Sequence, residues 1–441
     1  MSLEAIPGPP GGADGNVGDI AAAGGLHTFQ LRLHEEYGDV ARFRMSGLDL
    51  VSVADPVLLE ATARINERPD PLFAFLEPLC EAGNLQTLPG EEHVPWRRLL
   101  LSTLAGRRTH EAYAHRFAEL AAGLADRWAA RTGPVELQQE LSELSLRMIC
   151  EYALGGIGAE EATEVVGAFE VVLTEYLGRM YRAPEEEARA AEALRFLRAT
   201  VDRVIAGHGT GTGGRSDLIA TLADAGTSHA RIRDTVLMIM LAAHHTTGVS
   251  VSWTLYLLGR HPDVARRVTG EVDAVLGGRD LPEYADLKDL PYLEMALKEA
   301  MRLYTPGPYG ARETDTDLAI GPYTVPARAT VFYPFWALHL NPRYWPDPDR
   351  YDPDRFTAEN AAGRPRFAYV PFGLGPRSCE GAALALVEAK LVLAVLLRRL
   401  AFTPVPGREP TPVERFVLWA EEGIEMRVAP RTGRARPDGV E

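Results

Sequence analysis

Three short stretches hold residues whose types and spacing could do chemistry. In FGLGPRSCEG, residues 372–381, Cys379 lies among Gly373, Gly375 and Gly381, with Arg377 two positions before it. The glycines permit backbone conformations closed to other residues, so the loop can fold tightly and aim amides at the sulfur. The run from Glu380, EGAALALVEAKLVLAVLL, predicts a helix and puts the cysteine at its N-terminus, where the dipole favours a thiolate. In AAHHTTG, residues 242–248, polar side chains sit amid apolar ones, which is costly unless they are hydrogen-bonded or used. In KEAMR, residues 298–302, Glu299 and Arg302 stand three apart on one helical face and can pair.

The elements that must position these residues are mainly helical. Residues 231–259 predict one uninterrupted helix, on the order of 43 Å long, with 242–248 at its middle. Helical periodicity runs from about residue 56 to 400. The stretch GHGTGTGG, residues 207–214, reads as a flexible connector inside that region, since a helical pattern restarts at Asp217. Residues 40–53 predict a hairpin around Ser46-Gly47, and β-rich segments return at 318–333 and 416–428. Small sheets drawing on such distant segments argue for a mainly α fold in one domain, residues 26–430. An irregular lead-in, 1–25, precedes it and a disordered tail, 431–441, follows.

Acidic residues outnumber basic ones by 61 to 46, and the net charge of −15 opposes binding to nucleic acid or an anionic membrane. Three cysteines, Cys80, Cys150 and Cys379, are too few for a disulfide framework and suggest a reducing compartment, the cytoplasm. The first residues have no basic n-region with an apolar stretch behind it, and no purely apolar run reaches membrane-spanning length, so neither export nor a membrane anchor is expected.

The cysteine loop resembles the signature of the cytochrome P450 family, heme-thiolate monooxygenases: Phe372, Gly375, Arg377, Cys379 and Gly381 match it at every position. The resemblance implies the P450 fold, a long central helix over heme b, and Cys379 as the proximal iron ligand, with thiolate donation favouring O–O cleavage. It implies that Arg355, in PDRF, joins Glu299 and Arg302 in a buried triad, although Asp354 stands where the family often has glutamate. It also implies four donors to the heme propionates, His93 and Arg97 in EEHVPWRR, Arg312 in GARETD, and Arg377; arginine suits paired carboxylate oxygens.

Against the family's central helix, Thr246 matches the residue that serves oxygen activation and proton delivery. His245 stands where the acid usually is, an arrangement similar to that of sterol demethylases, and Ala243 replaces a glycine. Histidine can accept and give a proton near neutrality, so His245 is a second catalytic candidate, whereas His244, about 100° round the helix, reads as structural. Residues 66–93 lack the tyrosine of the sterol demethylases, which argues against a sterol.

Family position places the substrate among Phe73, Phe75, Leu76, Tyr176, Met180, Tyr181, Met238, Ala242, Tyr309, Ala311, Leu418 and Trp419. A lining of this kind suits a bulky hydrophobic molecule. Hydroxylation or epoxidation of a secondary metabolite, with electrons from a ferredoxin and its reductase, is the implied function of a monomer. Oxidative ring or bond formation without oxygen insertion, and a non-catalytic heme-binding recruitment role, are the alternatives. Arg107, Arg108, Lys390 and Arg398 are expected to form the basic docking patch for the electron donor.

Overall fold

The computed structural model describes residues 3–79, 81–83, 85–86, 88–155, 157–176, 187–207 and 218–431. The central helix, His229–Arg260, has 32 residues and spans about 48 Å. The Ser228 hydroxyl caps it by accepting from the Arg231 amide at 3.4 Å. Among the described residues it is the one helix long and apolar enough to cross a membrane, and it is largely enclosed by the rest of the protein.

Helix Leu137–Leu154 packs along its middle. Gly248 makes this approach possible, because a Cβ there would lie 2.6 Å from the Ser142 amide nitrogen. Ser145 Oγ donates to the Ala243 carbonyl at 2.8 Å in the same interface. On another side runs the helix Ala382–Arg399, which follows the cysteine loop. Further along, Trp253 stacks on Tyr304 with ring centroids 3.7 Å apart and donates to the Leu418 carbonyl at 3.0 Å.

The largest sheet has four strands in the order Val40–Met45, Leu48–Val53, Thr330–Tyr333, Gly310–Glu313. The first pair is the hairpin expected from Ser46-Gly47; Leu48–Val53 then runs parallel to Thr330–Tyr333. Strands Leu400–Pro404, Glu425–Pro430 and Val135–Glu136 form a second sheet, so segments far apart in sequence do meet.

The lead-in is less irregular than the sequence suggests. It carries the helix Val17–Ala22, and Asn16 fixes it by accepting from the Arg44 amide at 2.8 Å. At the other end Arg431, assigned to the tail, donates to Asp273 at 2.8 Å and to the Leu397 carbonyl at 2.9 Å. The connector at 207–214 lies outside the described residues except Gly207, which ends the helix Glu187–Gly207; the chain is helical again over Leu218–Asp224.

Candidate active site

A cavity of about 360 Å³ lies between the central helix, the cysteine loop and the strand Gly310–Glu313. The central helix presents Met238, Ala242, Ala243, Thr246 and Thr247 to it. The loop contributes Phe372, Cys379 and Gly381. Gly375 has φ +67°, and a Cβ there would lie 2.4 Å from the Ala63 carbonyl oxygen, so only glycine lets the loop turn this close to that segment. The Cys379 amide then donates to the Phe372 carbonyl at 2.8 Å, which closes the loop under the sulfur.

Cys379 opens toward the cavity while protein surrounds it on its other sides. Burial pushes its thiol up, and the Gly381 amide and Arg97 pull it down by less. The helix proper begins at Ala382, so its dipole alone does not prepare the thiolate; a cation bound to the sulfur would favour it. Cys150 is buried on helix Leu137–Leu154 and pushed up to about 12, hence inert, and Cys80 lies outside the described residues.

Basic groups gather beside the loop. Arg68, Arg312 and Arg377 line the cavity, with Arg97 and His93 close behind. Burial first, then the surrounding arginines, holds His93 down to about 3, and both its ring nitrogens are buried without a hydrogen-bond partner, as is Trp96 Nε1. Arg97 donates to Ser378 O at 2.6 Å and Ser378 Oγ at 3.0 Å and pairs with Glu380. Arg377 is spent on backbone: Nε donates to Asn66 O at 2.8 Å, Nη1 to Leu85 O at 2.9 Å, Nη2 to Leu88 O at 2.7 Å. A thiol facing the cavity beside a surplus of guanidinium and orphaned donors fits a metal held in a dianionic macrocycle. Cys379 would hold the iron, and the basic cluster would hold the carboxylates.

The structure separates the two residues read as catalytic. Thr246 lines the cavity, its hydroxyl donating to the Ala242 carbonyl at 2.8 Å. His245 does not line it. One position back on the helix is about 100° of rotation, and its ring packs edge-on to Trp419 at 5.1 Å and stacks on His244 at 4.1 Å. Burial holds it down to about 3, so it is neutral. His244 is fully buried with Nε2 3.0 Å from Glu170.

Phe73, Met238, Ala242 and Tyr309 line the cavity; Leu76, Ala311, Leu418 and Trp419 do not. Strand alternation turns Ala311 into the cluster of Phe29, Phe43 and Phe332, opposite Arg312. Leu76 and Leu418 are core, and Phe416, at φ +66° just before strand Val417–Ala420, lines the cavity instead. Met180 and Tyr181 lie outside the described residues, as do the side chains of Phe75 and Tyr176.

Away from the cavity, Glu299 and Arg302 are fully buried. Arg302 Nε and Nη2 donate to the two Glu299 oxygens at 2.7 and 2.8 Å, and Arg355 Nε donates to Glu299 Oε1 at 3.1 Å. Asp354 instead holds Arg267, at 2.7 and 3.0 Å.

Sequence reasoning passed over Glu388, although a carboxylate within the apolar run LALVEAKLVLAV was a signal. It lines the cavity, and the Thr247 hydroxyl is 3.5 Å from Oε2 while Oε1 has no partner. Burial pushes it up to about 8 from 4.5. A carboxyl raised on folding stabilises the fold below its unfolded pKa and loses that contribution as pH rises through the folded one. Glu388→Gln is therefore expected to gain stability over the parent between pH 5 and 8, by roughly 2–4 kcal/mol at the upper end. Urea unfolding at pH 5, 6.5 and 8 checks it; a constant difference would refute it.

The sequence model of the cytochrome P450 family matches residues 7–428. The chain belongs to the cytochrome P450 family. Its fold is similar to the crystal structure of the cytochrome P450DA heme domain, with a TM-score of 0.87 and 26% identity over 97% of this chain and 98% of that one. It is 38% identical to cytochrome P450 4c3 of Drosophila melanogaster over 220 residues, 49% of this chain and 41% of that protein. To human cytochrome P450 4V2 it is 39% identical over 212 residues, 47% of this chain and 40% of that protein. The matched region thus spans about two fifths of these relatives. As a P450 it takes heme b as cofactor, and the chemistry of the family is that of monooxygenases.

Proposed function

We propose that this P450 inserts one oxygen atom of dioxygen into a bulky apolar small molecule of secondary metabolism, with electrons from a ferredoxin and its reductase. The observation that carries the reading is that Cys379 and Thr246 line one cavity whose other walls are largely apolar, among them Leu100, Ile149, Met238, Leu297 and Met301. Heme bound there supplies the redox chemistry of dioxygen reduction. Cys379 would hold its iron. The Thr246 hydroxyl, already donating to Ala242, keeps its oxygen lone pairs free to accept from a water in the cavity. A water so held passes a proton on without a carboxylate at position 245. The apolar wall excludes bulk water and leaves shape as the main ground of substrate choice.

The docking patch is redrawn. Lys390 is buried and donates to Leu287 O at 2.5 Å and Glu294 at 2.7 Å, and Arg398 is buried against Asp273 at 2.7 Å, so neither meets a partner. Arg107 and Arg108 are exposed. A surface depression on the outer side of the cysteine loop, lined by Arg64, Arg366 and residues 373–376, is the better seat for an acidic electron carrier.

The reading is tested by substrate-dependent oxygen uptake over a panel of hydrophobic natural products, with product mass recorded. Thr246→Ala is expected to keep substrate binding and divert most electrons to peroxide, while His245→Ala keeps the parent's coupling. A product of unchanged oxygen count would point to bond formation instead, and equal coupling in Thr246→Ala would remove the role given to its hydroxyl.

A further inference from the structure

The middle of the central helix carries a second cluster of side chains, outside the cavity. His244 and His245 follow one another there, and neither lines the cavity. Glu170 meets His244 from the helix Ala159–Tyr176, and Gln139 reaches Glu170 from the helix Leu137–Leu154, so three helices contribute to one point. Two imidazoles in so apolar a stretch are expected to have their nitrogens hydrogen-bonded, because a buried polar atom without a partner is costly. Here three of the four nitrogens have none: both of His244, which is fully buried, and Nδ1 of His245. His244 Nε2 lies 3.0 Å from Glu170 Oε1, yet without hydrogen-bond alignment. The two rings stack nearly parallel, 17° apart with centroids 4.1 Å apart, so neither donates to the other.

Orphaned imidazoles and a carboxylate share one capacity, that of giving a lone pair to a cation. One donor atom from each of Glu170, His244 and His245 lies within 4.8 Å of the other two. Around a tetrahedral zinc with bonds of about 2.0–2.1 Å, donors stand about 3.4 Å apart. The edge between Glu170 and His244 is therefore nearly set, and a turn of the His245 ring, now edge-on to Trp419 at 5.1 Å, closes the triangle. The His245 imidazole is neutral, as a ligand must be. Glu170 also has the outer support of a ligating carboxylate. Gln139 Nε2 donates to Glu170 Oε1 at 3.2 Å and to Glu143 Oε1 at 3.3 Å, which brings a second carboxylate near enough to offset part of the charge of a divalent ion. The Glu170 side chain is 26% exposed, so an ion can enter from solvent without crossing the cavity, and water can complete the fourth position.

We propose that Glu170, His244 and His245 form a binding site for one divalent transition-metal ion, zinc by its donor set of two imidazoles and a carboxylate, which clamps the helix Ala159–Tyr176 to the central helix. Magnesium and calcium, which take oxygen ligands, do not compete for it. The site stands apart from the oxygen chemistry assigned to Cys379 and Thr246, so either reading can fail without the other.

The test uses the untagged holoenzyme, stripped with EDTA and dialysed against buffered zinc over a range of free concentrations, with bound zinc counted per chain. The parent is expected to take up one zinc ahead of any weaker surface binding. Glu170→Gln, which keeps the shape of the side chain, and His245→Phe are each expected to bind that ion about tenfold more weakly or worse. Far-UV circular dichroism establishes that the variants fold, and Glu170→Gln decides alone if His245→Phe does not. Zinc is also expected to raise the unfolding midpoint of the parent and not that of Glu170→Gln, since it binds only the folded chain. His115→Gln, which removes the exposed pair of His115 with Glu119 at 3.3 Å, is expected to change nothing. X-ray absorption at the zinc edge is expected to show imidazole and oxygen neighbours and no sulfur at about 2.3 Å. A parent that takes up no stoichiometric zinc overturns the proposal. So does equal uptake by Glu170→Gln, a loss in His115→Gln, or a sulfur neighbour, each of which would put the ion elsewhere on the chain.

Discussion

Arg302→Met is expected to cost 3–5 kcal/mol, a large part of the total stability of a protein of this size. The methionine fills most of the volume, so the cost is electrostatic. Arg302 supplies Glu299 with two charge-assisted bonds and ties it to His339 O at 2.9 Å, and both partners are fully buried. Even with both arginines in place, burial holds the Glu299 carboxyl above its ordinary range. Without Arg302, only Arg355 and the Asp352 amide, at 3.1 Å each, remain to oppose that burial. The carboxyl then protonates, and the sign follows: a pKa raised on folding stabilises at low pH and ceases to as pH rises. The variant is expected to sit closer to the parent at pH 5 than at pH 8. Urea unfolding at both pH values, followed by circular dichroism and heme absorbance, measures it. A loss under 1 kcal/mol at both would show that the triad does not hold the core.

The parts of the site legible in sequence are those written in local spacing. Cys379 and its glycines lie within ten residues, and Gly375 could be assigned its task before its neighbour Ala63 was known. Thr246 was legible because its helix is long and unbroken. His245 was misplaced for a matching reason: its angular position alone leaves it near the edge of the cavity arc, and the ring that draws it away, Trp419, comes from a strand far along the chain. Lys390 and Arg398 could have been read better. The run LVEAKLVLAVLLRR is apolar on every face, which marks a buried helix, and charges on such a helix must be paired rather than presented to a partner. Arg68 carried no signal, because its meaning comes from Arg97, Arg312 and Arg377, three cations brought together only by the fold.

Cys379→Ser is expected to abolish turnover and to remove the red-shifted Soret band of the reduced, carbon monoxide-bound protein, the mark of a thiolate ligand. The substitution exchanges one atom, and the loop has no reason to change: Gly375 still turns at Ala63, and the backbone bond from residue 379 to Phe372 is untouched. What is lost is an anion. Even for sulfur, burial opposes the charge more than the Gly381 amide and Arg97 favour it, and a serine hydroxyl, far less acidic, stays neutral in the same place. Among the described residues no other thiol takes over, since Cys150 lies on another helix and is pushed up to about 12. Cys379→His is the sharper control, because it restores a strong ligand of the wrong kind. It is expected to retain heme while giving a Soret band of the imidazole type and no oxygen insertion, since a neutral imidazole does not donate charge as thiolate does. A parent and a serine variant with the same carbon monoxide spectrum would place the iron on some other residue, and the role given to Thr246 would go with it.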